Sequence, residues 1–126
     1  MNILDIAKQN SDYTVKIRRY FHEHPECGPA EQTNTMAVIK EELDKIEIPY
    51  TQVSGGGIFA YINGDSTGKT ILLRSDIDAL PILESETNLK KKKICISKNP
   101  GVMHGCGHDG HIAMLLTAAK ILKSME

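Results

Sequence analysis

The chain has 126 residues, 40% of them apolar and 25% charged, with a formal net charge of −1 at pH 7. That is one ordinary domain with enough apolar residues for a folded core, which excludes wholesale disorder. The near-neutral charge gives no electrostatic case for nucleic acid or an anionic membrane, and no apolar run approaches the ~18 residues of a membrane span.

The start, MNILDIAKQNSDY, lacks the basic and apolar regions of a secretory signal. The three cysteines, Cys27, Cys95 and Cys106, form no CxxC pair, so free thiols in a reducing cytoplasm are expected. Cys27 and Cys95 read as small hydrophobes. Residues 3–23 carry Ile3, Ile6, Tyr13, Ile17, Tyr20 and Phe21 at helical spacing and predict one helix, stopped by Pro25. Residues 31–46 predict a second, with Met36, Ile39, Leu43 and Ile46 on one face and Glu41 and Glu42 among the solvated charges. Glycine turns then split short β-branched and aromatic runs, which predict strands near 50–53, 58–62 and 70–75. Residues 94–97, ICIS, read as a further strand or an extended segment. The final stretch from about Gly110 is a helix with Ile112, Leu115, Leu116, Ala119 and Leu122 as its apolar stripe. The order helix, helix, strands, helix implies α/β layering without internal repeats or linkers.

Two stretches imitate function. GDSTGKT, residues 64–70, has three residues between its glycines where a phosphate loop has four, and a strand-like run follows, so it reads as a hairpin turn. KKKK, residues 90–93, has no aromatic interleaving and reads as a solvated loop.

The chemistry concentrates elsewhere. GVMHGCGHDGH, residues 101–111, holds three of the chain's five histidines. Cys106 and His108, two apart on an extended segment, point the same way and suit zinc or a related ion. The following helix places its N-terminal dipole near Cys106, favouring a thiolate. Two ligands alone do not complete a zinc site, which takes about four donors. In ILLRSDIDALP, residues 71–81, an apolar strand ends at Asp76 and Asp78, which alternate and project toward one ligand. Sites in open α/β sheets lie beyond such strand ends; a turn built on aspartates is the competing reading.

Three stretches, RRYFHEHPECGPAEQ, LLRSDIDALPILE and PGVMHGCGHDGHIAMLLTAAKIL, carry a family resemblance that runs from residue 18 almost to the last residue. Together they resemble the N-terminal part of the metal-dependent amino-acid amidohydrolases. That is the aminoacylase-like metallopeptidase family of hippurate hydrolase, indoleacetyl-amino-acid hydrolases and N-acetyldiaminopimelate deacetylase. The resemblance implies the N-terminal portion of a zinc-peptidase-like catalytic domain, with a central mixed sheet flanked by helices, spanning residues 1–126. It implies that Cys106 and His108 bind metal and that Asp78 is the catalytic-site residue supporting the metal centre. Asp76, His104, Asp109 and His111 take supporting or pocket roles, and the stretch of His22, Pro25 and Glu26 reads as structural. Gly105 stands where the family usually has alanine.

The implied cofactor is one or two divalent ions, zinc or manganese foremost, with cobalt and nickel as further options. The implied substrate is an N-acyl amino acid or a dipeptide-like molecule. Family members continue past the equivalent of Glu126 with an adjacent glutamate pair, later histidine ligands and a lid or dimerisation domain. A partial enzyme is therefore expected, either as a homo-oligomer or joined to a complementary C-terminal fragment. An inactive remnant that serves as a metal-binding or interaction module is the alternative.

Overall fold

A computed structural model describes residues 2–64 and 67–126. Helix α1 covers Ile3–Gln9, and the Asn2 side chain accepts the Asp5 N–H at 2.9 Å as its N-cap. Helix α2 covers Ser11–Glu23. The single helix expected over residues 3–23 is thus broken at Asn10. Its side-chain amide donates to the Ile6 carbonyl at 2.9 Å and closes α1 locally, the competition with helical bonding typical of asparagine.

Pro25 ends the helical path as expected, and Glu26 then caps the next helix. Its carboxylate accepts the Thr35 N–H at 2.5 Å and the Asn34 N–H at 3.2 Å. After a 3₁₀ turn at Pro29–Glu31, helix α3 runs Thr33–Lys45. Glu42 departs from the solvated face expected of it. It is buried and accepts the Tyr13 hydroxyl at 2.9 Å and the Lys45 ammonium at 2.7 Å, tying α3 to α2.

Strands β1 (Tyr50–Gln52) and β2 (Ile58–Ala60) form an antiparallel ribbon with Thr51 opposite Phe59. A second ribbon pairs β3 (Thr87–Asn88) with β4 (Lys91–Lys92), so the lysine run is a short exposed hairpin and not a plain loop. Residues 70–75, expected as a strand, join no ladder among the described residues. Ile71 is 82% exposed, so this run presents apolar side chains to solvent. Residues 94–97 form no strand. The turn expected at 64–70 includes Asp65 and Ser66, which lie outside the described residues.

Helix α4 covers His108–Lys123 and packs chiefly on α2. Ile17, Phe21, Leu43, Ile48, Ile112, Ala113 and Leu116 make the core. The buried stripe of α4 is Ile112, Ala113, Leu116, Thr117 and Ile121, while Leu122 of the expected stripe is exposed. Thr117 belongs to that stripe because its hydroxyl donates to the Ala113 carbonyl and meets the Thr14 hydroxyl at 2.7 Å. Helices together with small sheets agree with the α/β expectation; the described residues form two separate two-stranded antiparallel sheets, and no central mixed sheet forms among them. Among the described residues no helix is long and apolar enough to cross a membrane.

Candidate metal centre

Two segments converge on the first turn of α4. The stretch after residue 75 is fixed by reciprocal bonds between Leu80 and Met103, at 2.9 and 3.0 Å, and by the Ala79 N–H donating to the Glu26 carbonyl at 2.8 Å. This lays Asp76 and Asp78 beside residues 103–111. Gly107 caps α4 at φ +86°, a left-handed conformation that suits glycine. A methyl group there would meet nothing within 4 Å, so Gly107→Ala isolates the backbone strain. We expect a loss of about 1–2 kcal/mol by urea unfolding; an unchanged midpoint would contradict the left-handed turn.

His108 is oriented by Asp78. Its Nδ1 lies 2.9 Å from both the Asp78 carbonyl oxygen and Asp78 Oδ1. Both are acceptors, so Nδ1 carries the proton and donates. Nε2 is left with a free lone pair on the side of Asp76, whose Oδ2 is 3.9 Å away. His111 approaches the other oxygen, with Nδ1 3.7 Å from Asp76 Oδ1, and its ring stacks on His108 at 5.4 Å. One donor atom from each of Asp76, His108 and His111 lies within 4.8 Å of the others. The Asp76 carboxyl is held below its ordinary range, first by its own backbone N–H and then by Arg74, His108 and His111. It is a carboxylate at neutral pH.

The expected residues fall into three groups. Asp76, His108 and His111 come together, with Asp78 behind His108. Cys106 is exposed and stands outside the three-residue donor group. His104 and Asp109 are buried and stand outside that group. His104 is 4% exposed, and neither ring nitrogen has a hydrogen-bond partner among the described residues. Burial, with His22 and His108 nearby, holds its pKa below the ordinary value.

Asp109, 1% exposed, anchors a chain of charge that spacing did not reveal. Its Oδ2 accepts Arg18 Nε at 2.9 Å and His22 Nδ1 at 2.8 Å, and its Oδ1 accepts the Gly110 N–H. His22 Nε2 in turn reaches Glu84 Oε1 at 2.7 Å. Glu84 also accepts the Ser97 N–H at 2.6 Å and Lys93 Nζ at 3.2 Å. With a carboxylate on each nitrogen, His22 is an imidazolium, and its pKa is raised chiefly by Asp109.

The donor set fits a divalent ion. One carboxylate and two imidazoles are zinc- or manganese-type ligands, and a histidine whose second nitrogen is held by a carboxylate is the usual companion of such an ion.

Comparison with known proteins agrees with this chemistry. Residues 72–126 match the model of peptidase family M20/M25/M40. The chain is 44% identical to IAA-amino acid hydrolase ILR1-like 5 of Arabidopsis thaliana, over 99% of its own length and 28% of the relative's. It is 44% identical to N-acetyl-L-cysteine deacetylase of Bacillus subtilis, over 100% of its length and 28% of the relative's. The crystal structure of Bacillus subtilis YXEP, a dinuclear metal-binding peptidase, superposes with a TM-score of 0.81 at 37% identity. That match covers 94% of this chain and 32% of the other. The chain thus spans about 28% of the length of the curated relatives.

Proposed function

We propose that residues 1–126 form the N-terminal part of a metallohydrolase catalytic domain of peptidase family M20/M25/M40, whose family model matches residues 72–126. The reaction is hydrolysis of the amide bond of an N-acyl amino acid or a dipeptide-like molecule, in the cytoplasm. The convergence of Asp76, His108 and His111, with Asp78 fixing the tautomer of His108, carries this reading. The relatives named for amino-acid conjugates and for N-acetyl-cysteine support the substrate class.

The residues divide the work. His108 offers Nε2, and Asp76 offers a carboxylate that stays ionised at neutral pH. Asp78 holds the His108 ring in the orientation and tautomer that leave Nε2 for a ligand role. Cys106, two residues from His108, joins them as a ligand on the family's pattern, and His111 adds a further nitrogen. A zinc or manganese ion held there would supply Lewis acidity toward the amide carbonyl and lower the pKa of water.

The test is a Co²⁺ titration of the purified chain followed by visible absorption, then addition of an N-acetyl amino acid. We expect stoichiometric binding, weakened at least about tenfold by His108→Ala, and a change of the band when the N-acetyl amino acid enters. Equal binding by wild type and His108→Ala would overturn the metal assignment. A band unmoved by the N-acetyl amino acid would overturn the substrate class.

A further inference from the structure

The chain Arg18–Asp109–His22–Glu84–Lys93 takes no part in the donor group, yet it is largely buried. It joins α2, the first turn of α4 and the segment from Glu84 to Ser97. Removing ionised groups from water is expensive, and such a cluster often adds little net stability compared with apolar packing. What it provides is direction. Hydrogen bonds from fixed donors permit one geometry, whereas apolar contacts tolerate many.

The direction matters because of where Asp109 sits. Successive residues of a helix project about 100° apart, and residues three apart share a face. Asp109 follows His108 directly and precedes His111 by two positions. When Asp109 is pulled toward α2 by Arg18 and His22, the rotation of the first turn is set. His108 and His111 are then turned together onto the neighbouring face, where Asp76 and Asp78 lie. Asp109 also holds the Gly110 N–H at 2.9 Å, so the same side chain fixes the backbone of that turn.

We propose that this buried chain is a positioning device whose central residue is His22: by clamping Asp109 to Glu84 it fixes the rotation of the α4 N-terminus and aims His108 and His111 at Asp76. This rests on the metal reading of that site. His22 and Glu84 touch neither donor group nor substrate; they act through Asp109. Glutamine at position 22 has one terminal amide and cannot donate to carboxylates on opposite sides, so His22→Gln opens the chain.

The experiment uses the full 126-residue chain with Co²⁺ alone as probe. Alongside it, long-range ¹H–¹⁵N correlations of the histidine rings are recorded in the metal-free protein. His22→Gln and Glu84→Ala are compared with Leu43→Ala, a core variant on α3 that loses stability without touching the charge chain. Both network variants should bind Co²⁺ about tenfold more weakly and with a shifted band. Their His108 ring should lose its single Nδ1–H tautomer. Leu43→Ala should keep wild-type affinity, band and tautomer at temperatures where it is folded. Wild-type behaviour in His22→Gln and Glu84→Ala overturns the proposal. So does an equal loss in Leu43→Ala, which would make the site a mere reporter of stability. A failure of the metal reading looks different: wild type would bind no Co²⁺, while the His108 tautomer would still respond to His22→Gln.

Discussion

Replacing Phe21 by alanine lowers the unfolding free energy by about 3–5 kcal/mol. Phe21 is the largest side chain with no solvent exposure, and it lies in the core beside Ile17, Leu43 and Ile112. Its ring also meets Tyr20 edge-on at 5.7 Å. Truncation forfeits the transfer energy of the ring and leaves a cavity between helices too rigid to collapse fully. For a domain whose whole stability is about 5–15 kcal/mol, that is a large share. Urea unfolding followed by circular dichroism measures it. A loss below about 1 kcal/mol, under the range for burying a phenylalanine, would mean that α2 and α4 do not form the core.

Stability should peak near pH 6.5 and fall on both sides. His22 has a folded pKa raised above its ordinary 6.5. Its contribution is therefore complete below 6.5 and is lost as the pH rises through the folded value. His104 has a folded pKa lowered below the same 6.5 by burial. The unfolded chain then takes up a proton that the folded chain refuses, so stability falls as the pH drops from 6.5.

Two carboxylates steepen the acid side. Burial pushes Asp109 and Glu84 upward. The hydrogen bonds from His22, with Arg18 at the first and the Ser97 N–H and Lys93 at the second, outweigh it and hold both below their ordinary 3.8 and 4.5. Their contributions are present above those values and disappear as the pH falls through the folded ones. Each pKa unit of difference is worth about 1.4 kcal/mol. Urea midpoints measured from pH 3 to pH 9 should trace a dome whose alkaline limb flattens in His22→Gln. A stability that climbs steadily to pH 9 would contradict the charged state of His22.

The part of the site that was legible in the sequence is set by short spacing: Asp76 and Asp78 alternate and share a direction. His108 and His111, three apart, share a face only because α4 starts at His108, two residues before the start expected near Gly110. Cys106 shares the spacing rule with His108, but an exposed turn at Gly107 separates it from the helix, and the donor group forms without it. The charge chain was not legible. His22 meets Glu84 across 62 positions and Asp109 across 87, and no local period encodes such contacts. Glu42 shows the same limit. Its sequence neighbours are charges, and only the packing of α3 on α2 reveals Tyr13 as its partner. Asn10 breaks the first helix although the apolar spacing runs through it, because a side-chain amide can close a turn that periodicity cannot sense. The apolar character of Ile71–Leu73 predicts a strand; pairing requires a neighbour, and none of the described residues supplies one.

In the proposed site Asp76 and His108 hold a divalent ion while Asp78 holds His108. Anomalous diffraction at the zinc edge, from crystals of the chain grown with zinc, tests this. A peak is expected about 2.0–2.2 Å from His108 Nε2 and from an Asp76 oxygen, with His108 Nδ1 still donating to Asp78. A peak that lies elsewhere, or zinc bound through Nδ1 with Asp78 released, would contradict it.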